Sequence, residues 1–262
     1  MKILKDSFDL PRFYKSIYGG SLLMIDYDGT LAPLINERMQ AYPYVGVKER
    51  LCALMALKNV RLVIVSGRSM SILETLIDMP AGLEMWGSHG MERKLANGKV
   101  ISAEIPLVLR EGLDKGLNFF RENVDPKLYD IKPFSVSLHW RSVSPKERMQ
   151  LNEFKKSFEE ITANYEIEIH DFDGGFELRP KNRGKGNVVN TLLSEMPKET
   201  AAAFLGDDFT DEEAFITLGD RGLKVLIREE IRETNADIYL TPPSELLSFL
   251  DLWISKSQIH LE

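Results

Sequence analysis

Four short stretches of this chain carry side chains that could do chemistry together. Asp26 and Asp28 lie two apart in Asp26-Tyr27-Asp28-Gly29-Thr30, and Ser66 leads Ser66-Gly67-Arg68. Lys185 sits in Arg183-Gly184-Lys185-Gly186, and Asp207 with Asp208 follows Gly206. Gathered in one place, these carboxylates would repel one another and take up protons. A hard divalent cation removes that conflict, and Mg²⁺ prefers a few carboxylates together with water and phosphate oxygens. A hydroxyl, an ammonium, helix-end amides and a cation are the parts that hold a phosphoryl group. One carboxylate can attack phosphorus to form an aspartyl-phosphate. A second can protonate the leaving alcohol and then deprotonate the water that clears the intermediate. The spacing of Asp26 and Asp28 suits that division.

Each stretch needs an element to position it. Residues 21–25, 62–65 and 201–205 are short apolar runs that end at Asp26, Ser66 and Gly206. Such runs read as strands covered on both faces, and open α/β sheets bind ligands at the carboxyl ends of their strands. Helical spacing over 47–58 places Val47, Leu51, Leu54 and Met55 on one face. A helix over 71–78 is expected to open on a Ser71–Glu74 capping box, and one after Gly206 on Thr210 and Glu213. Residues 223–227 read as a further strand and 244–254 as a closing helix. Alternating strand and helix implies an α/β fold with a doubly wound parallel sheet. The middle differs: helices over 107–123 and 145–165 alternate with strands over 134–140, 166–170 and 175–178. The expected organisation is therefore a core from 1–104 and 179–262, interrupted by an α+β insert at 105–178.

Composition narrows the class. The 262 residues carry 33 basic and 40 acidic side chains, a net charge of −7, which argues against nucleic acid as a partner. No apolar run approaches the ~18 residues of a membrane helix. The first twenty residues, broken by Asp6, Asp9, Pro11, Arg12 and Lys15, do not read as a secretory signal, so a cytoplasmic location is expected. Cys52 is the one cysteine, and its place beside Leu51 and Leu54 predicts inert burial. His89, His139, His170 and His260 lack metal-ligand spacing, which argues against zinc hydrolysis. Arg68 is expected either on substrate or paired with an acidic neighbour. Trp86 is expected in the core.

The stretches at Asp26–Leu31, Ser66–Arg68, Lys185-Gly186 and Gly206–Glu212 resemble, in order, the four motifs of the haloacid dehalogenase (HAD) phosphatases. Pro33, Gly87-Ser88-His89-Gly90-Met91-Glu92, His139-Trp140-Arg141, Glu177-Leu178-Arg179-Pro180 and the Thr210–Phe215 continuation resemble the trehalose-6-phosphate phosphatases of that superfamily. The resemblance implies a Rossmann-like HAD core with an α+β cap that closes over a sugar. It implies Asp26 as nucleophile and Asp28 as general acid/base. Mg²⁺ would be held by Asp26, the Asp28 carbonyl and Asp207, with Asp208 and Asp211 orienting the groups around it. Ser66, the Gly67 amide and Lys185 would hold phosphate, and Arg141, Glu177 and Arg179 would meet the sugar. The expected partner is a small-molecule sugar phosphate, most simply trehalose 6-phosphate. Sucrose 6-phosphate, mannosyl-3-phosphoglycerate, a phosphomutase reaction and a non-catalytic sugar-phosphate-binding module stay open as alternatives.

Overall fold

The apolar run that ends at Asp26 is a strand with every residue buried, Ser21–Asp26, and Ala201–Gly206 and Gly222–Ile227 match it. The computed structural model describes residues 1–5, 8–35, 37–140, 143–172 and 174–258. In chain order its elements are β1 (Lys2–Ile3), α1 (Leu10–Ser16), β2 (Ser21–Asp26), α2 (Val47–Met55), β3 (Val60–Val65), α3 (Met70–Ile77), β4 (Glu84–Gly87), β5 (Glu92–Lys94) and β6 (Val100–Ser102). There follow α4 (Leu107–Asn123), β7 (Tyr129–Ile131), β8 (Val136–His139), α5 (Pro145–Thr162), β9 (Ile167–Phe172) and β10 (Gly175–Pro180). The chain closes with α6 (Lys185–Ser194), β11 (Ala201–Gly206), α7 (Phe209–Leu218), β12 (Gly222–Ile227), β13 (Ile238–Leu240) and α8 (Ser244–Ser257). They form two compact units, Met1–Ile101 with Gly184–Glu262, and Ser102–Arg183.

The first unit is built on one sheet of order β1-β13-β12-β11-β2-β3-β4-β5-β6, parallel from β13 through β4. Side chains alternate along β2. Leu23 and Ile25 pack with α1, α2, α3 and α8 through Phe13, Leu51, Leu73, Phe249 and Trp253. Leu22 and Met24 pack with α6 and α7 through Val188, Leu192 and Phe215. Helices thus cover both faces of a largely parallel sheet, the doubly wound architecture expected.

The second unit is an antiparallel sheet, β7-β8-β10-β9, with α4 and α5 on one face. Val136, Leu138, Phe176 and Leu178 enter that core, and the alternate positions Ser137, Glu177 and Arg179 point the other way. The strand expected over 175–178 runs on to Pro180, because Arg179 and Pro180 still pair with Glu168 and Ile167.

Three local expectations need correction. Helix α3 begins at Met70 after Ser69, so Ser71 falls inside the first turn and makes no cap. Helix α7 is capped by Asp208 and Asp211, not by Thr210 and Glu213, because the helix opens two residues earlier than expected. Cys52 is exposed rather than buried: Val47, Leu51 and Leu54 turn inward, and the next position after Leu51 rotates outward. Trp86 is buried as expected, with the Arg93 guanidinium 4.8 Å above its ring.

An ion network ties α6 to the sheet edge. Glu195, just past α6, accepts from Arg93 Nη1 (2.7 Å) and Arg61 Nη2 (2.6 Å), and Glu84 accepts from the same two arginines. Hydrogen bonding from Arg93, against the opposing effect of burial and with help from Arg61, pulls the Glu195 carboxyl down to about 2. A depressed carboxyl contributes stability above its ordinary value of 4.5, and that contribution is lost as pH falls toward the folded value. Glu195→Gln is therefore expected to lower the melting temperature at about pH 7, with the gap to wild type narrowing by about pH 3. Thermal melts at the two pH values check this, and an unchanged gap contradicts it.

Candidate active site

Sheet register brings the strand ends together. Ile25 lies beside Leu205 and Ile64, and Asp26 beside Val65, so Asp26, Ser66 and Asp207 emerge at one edge of three neighbouring strands. Lys185 begins α6, and its Nζ donates to Asp26 Oδ1 and to Asp211 Oδ1, both at 2.6 Å. Gly186 allows that approach: a Cβ there would sit 2.7 Å from Thr217 Oγ1 and 3.0 Å from the Glu213 carbonyl on α7. The other oxygen of Asp211 accepts from the backbone N–H of Asp207 (3.0 Å) and of Asp208 (2.9 Å). Asp211 thus stands within the cluster, and both its oxygens are already engaged.

The charges do not balance. Asp26, Asp207 and Asp211 offer carboxylate oxygens that all lie within 4.8 Å of one another, and all three residues are buried. Among the described residues, Lys185 is the one cation bonded to them. Burial pushes the Asp26 carboxyl up to about 8, opposed by Lys185 and reinforced by Asp211. Burial, then Asp26 and Asp211, hold Asp207 well above the carboxylate range. For Lys185, Asp211 and Asp26 outweigh burial and keep the ammonium charged. Asp207 Oδ2 is buried with no hydrogen-bond partner among the described residues. Such an acceptor typically costs ~1–3 kcal/mol. Gly29, in the left-handed region at φ +80°, clears the space beside it, where a Cβ would collide with the Asp207 carboxylate. Clustered, under-neutralised oxygen donors with one unsatisfied atom fit a hard divalent cation.

The remaining predicted residues divide. Asp28 meets Arg68 in a two-point ion pair, Nε to Oδ2 at 2.7 Å and Nη2 to Oδ1 at 2.6 Å, which is the acidic pairing considered for Arg68. Ser66 is buried and its Oγ accepts from the Arg68 N–H at 3.1 Å. Gly67 lies directly against the His89 ring. Asp208 turns its carboxylate to its own helix, accepting from the Phe209 N–H at 2.6 Å. Arg141 lies outside the described residues. Glu177 and Arg179 belong to the second unit. There, Glu177 Oε1 accepts from Lys132 (2.7 Å), Ser135 (2.7 Å) and Ser137 (2.8 Å), and Arg179 Nε donates to Glu168 at 2.8 Å.

A support for the Ser66–Arg68 loop had no assigned role in the sequence. Ser88 and His89 both hold left-handed backbone, φ 48° and 53°, and donate their N–H groups to the carbonyls of Arg68 (2.6 Å) and Ser66 (3.2 Å). Glu92 Oε2 accepts from Ser88 Oγ (2.6 Å) and from the Met70 N–H (2.9 Å). Glu92 thereby caps α3 from another strand, the task expected of Ser71. The only signal was the Gly87–Glu92 pattern itself, since the partners lie about twenty residues apart. Among the described residues, no helix is long and apolar enough to cross a membrane.

A trehalose-phosphatase from Schizosaccharomyces pombe is 25% identical over 258 residues, covering 92% of this chain, which spans 32% of that protein's length. The C-terminal domain of the C. albicans trehalose-6-phosphate phosphatase superposes with a TM-score of 0.82 at 21% identity, covering 97% of this chain and 99% of the other. A phosphatase of the haloalkanoate (HAD) superfamily from Bacteroides thetaiotaomicron shares the fold at a TM-score of 0.60 and 14% identity, covering 89% and 95%. The sequence model of the trehalose-phosphatase family matches residues 24–244, from inside β2 to the start of α8, and so takes in every element that carries the aspartate–lysine cluster. The chain belongs to the trehalose-phosphatase family.

Proposed function

We propose that this chain is a Mg²⁺-dependent phosphatase that hydrolyses a sugar phosphate monoester, trehalose 6-phosphate in the first place, through an aspartyl-phosphate on Asp26. The observation that carries the reading is the Asp26 carboxylate at the end of β2, bonded to Lys185 and clustered with that of Asp207, whose Oδ2 has no hydrogen-bond partner among the described residues. Asp26, the Asp28 carbonyl and Asp207 would hold the ion. When bound, Mg²⁺ supplies the positive charge that keeps these carboxyls ionised and draws electron density from the phosphoryl oxygens.

The chain's own groups do the rest. An oxygen of Asp26 attacks phosphorus as the bond from phosphorus to the sugar oxygen breaks. Lys185, the Ser66 hydroxyl and the Gly67 amide donate to the phosphoryl oxygens, where negative charge accumulates. Asp28 gives its proton to the departing sugar oxygen. A water molecule then attacks phosphorus, Asp28 takes its proton, and the bond to Asp26 breaks to release phosphate. Arg68 holds both oxygens of Asp28, so one of those two hydrogen bonds opens whenever Asp28 carries the proton. Arg141, Glu177 and Arg179 are proposed to recognise the sugar; three donors on one oxygen of Glu177 fix the orientation of that carboxylate.

Phosphate release is expected from trehalose 6-phosphate in Mg²⁺, to vanish with chelator and to return with added Mg²⁺. Faster release from sucrose 6-phosphate or mannosyl-3-phosphoglycerate reassigns the substrate, and no release from any of them favours the binding-module alternative. Asp26→Asn is expected to abolish turnover with the melting temperature retained; appreciable residual turnover rules out attack by Asp26. Asp28→Asn is expected to slow turnover by ~10²–10⁴-fold, the usual worth of positioned acid/base help. Steady-state kinetics near the wild-type rate would remove Asp28 from that role.

A further inference from the structure

The two-residue turn that carries Asp207 is held on both sides. Its N–H groups, from Asp207 and Asp208, are taken by Asp211. Its carbonyls are taken by one arginine from the segment after β12. Arg232 Nε donates to the Asp207 carbonyl (3.3 Å) and Nη2 to the Asp208 carbonyl (2.7 Å), with Arg228 Nη1 adding a second donor to Asp207 O at 3.3 Å. Arg232 is itself fixed. Its Nη1 donates to Glu212 Oε1 (2.5 Å) and to the Glu233 carbonyl (2.8 Å), and its guanidinium lies 4.8 Å over the Phe209 ring. Glu212 is pinned in turn by Thr234 Oγ1 (2.7 Å), the Asn235 N–H (2.8 Å) and Asn235 Nδ2 (3.0 Å).

We propose that Arg232, locked by Glu212, is a positioning residue for the cation: its fork fixes the two peptides that aim the Asp207 carboxylate. The inference rests on the cation reading above. The reason is geometric. Among the described residues Asp207 Oδ2 has no hydrogen-bond partner to orient it, so its direction is set by the backbone that bears it. The carbonyls of Asp207 and Asp208 follow the last strand residue, Gly206, and are not held by the ladder of β11. A planar guanidinium spans both at once, which a point charge does not. Groups that orient a metal ligand from behind are typically worth 10–100-fold in metal affinity.

The test is a Mg²⁺ titration followed by thermal shift, with no substrate present, on wild type, Arg232→Ala and Glu212→Gln. Arg232→Ala is expected to raise the Mg²⁺ midpoint by about tenfold, alongside a lower melting temperature without Mg²⁺ from its lost bonds to Glu212 and the two carbonyls. Glu212→Gln is expected to raise it by less, and it carries the test should Arg232→Ala fail to fold. A fall in the Mg²⁺-free melting temperature with an unchanged midpoint overturns the inference and leaves Arg232 a purely structural clasp. A wild type that shows no Mg²⁺ shift overturns the cation reading and this inference with it. Trehalose 6-phosphate turnover measured at saturating Mg²⁺ separates the two further: restored kcat in Arg232→Ala is expected, and a kcat loss that Mg²⁺ does not repair contradicts a role through the ion.

Discussion

Among the described residues, three buried carboxyls meet one ammonium, and that is the constraint on which this site depends. Parallel strands that end side by side deliver Asp26 and Asp207 to one edge, and α7 adds Asp211 from its first turn. Water would ordinarily dissipate such charge, but these side chains are buried, so the conflict is felt in full. Lys185 answers part of it by bonding two of the three. What remains is the raised Asp26 and Asp207 carboxyls and one orphan oxygen, a demand for positive charge written into the fold.

The surroundings make sense as the means of holding that arrangement in place. Asp211 ties Lys185 to the backbone of the Asp207 turn, so ammonium and carboxylate cannot drift independently. Arg232 grips the opposite side of the same turn. On the neighbouring strand, the left-handed Ser88–His89 pair and Glu92 brace the Ser66–Arg68 loop and the start of α3. Backbone of that kind is uncommon for non-glycine residues and persists where packing over-determines it. The Arg61–Glu84–Arg93–Glu195 network secures the far end of α6, whose near end is Lys185. Separate elements therefore converge on rigidity at one place.

Much of this could be read from the chain because the informative groups sit at the ends of period-defined elements. An all-apolar run announces a covered strand, so Asp26 and Asp207 could be placed at strand termini before any contact was known. Lys185 was readable for a similar reason, as the opening of a helix. Capping was less so: Ser71 and Thr210 match the local pattern, but a nearby Asp208 and a distant Glu92 supply the oxygens instead. Local spacing cannot rank a cap against a competitor that the tertiary fold brings in. Cys52 shows the same limit in another form, since being adjacent to Leu51 in sequence places it about 100° round the helix, toward solvent. Arg232 and Glu212 carry no spacing signal, because Arg232 reaches the Glu212 carboxylate and the Asp208 carbonyl across separations of 20 and 24 residues.

A fold of this kind does not by itself name a reaction, because the same scaffold can carry different sites. The site does more. A domain that only bound a sugar phosphate would be more stable with a neutral amide at position 207 than with a buried carboxylate, one oxygen of which has no hydrogen-bond partner among the described residues. It would also have no use for Asp28, poised two residues beyond Asp26 and held by a two-point arginine pair. Stability is given up in the first case, and a titratable group is placed with care in the second. Both choices become intelligible when a cation fills the cluster and a proton has to move, as perturbed groups gathered at one strand edge are the usual signature of chemistry.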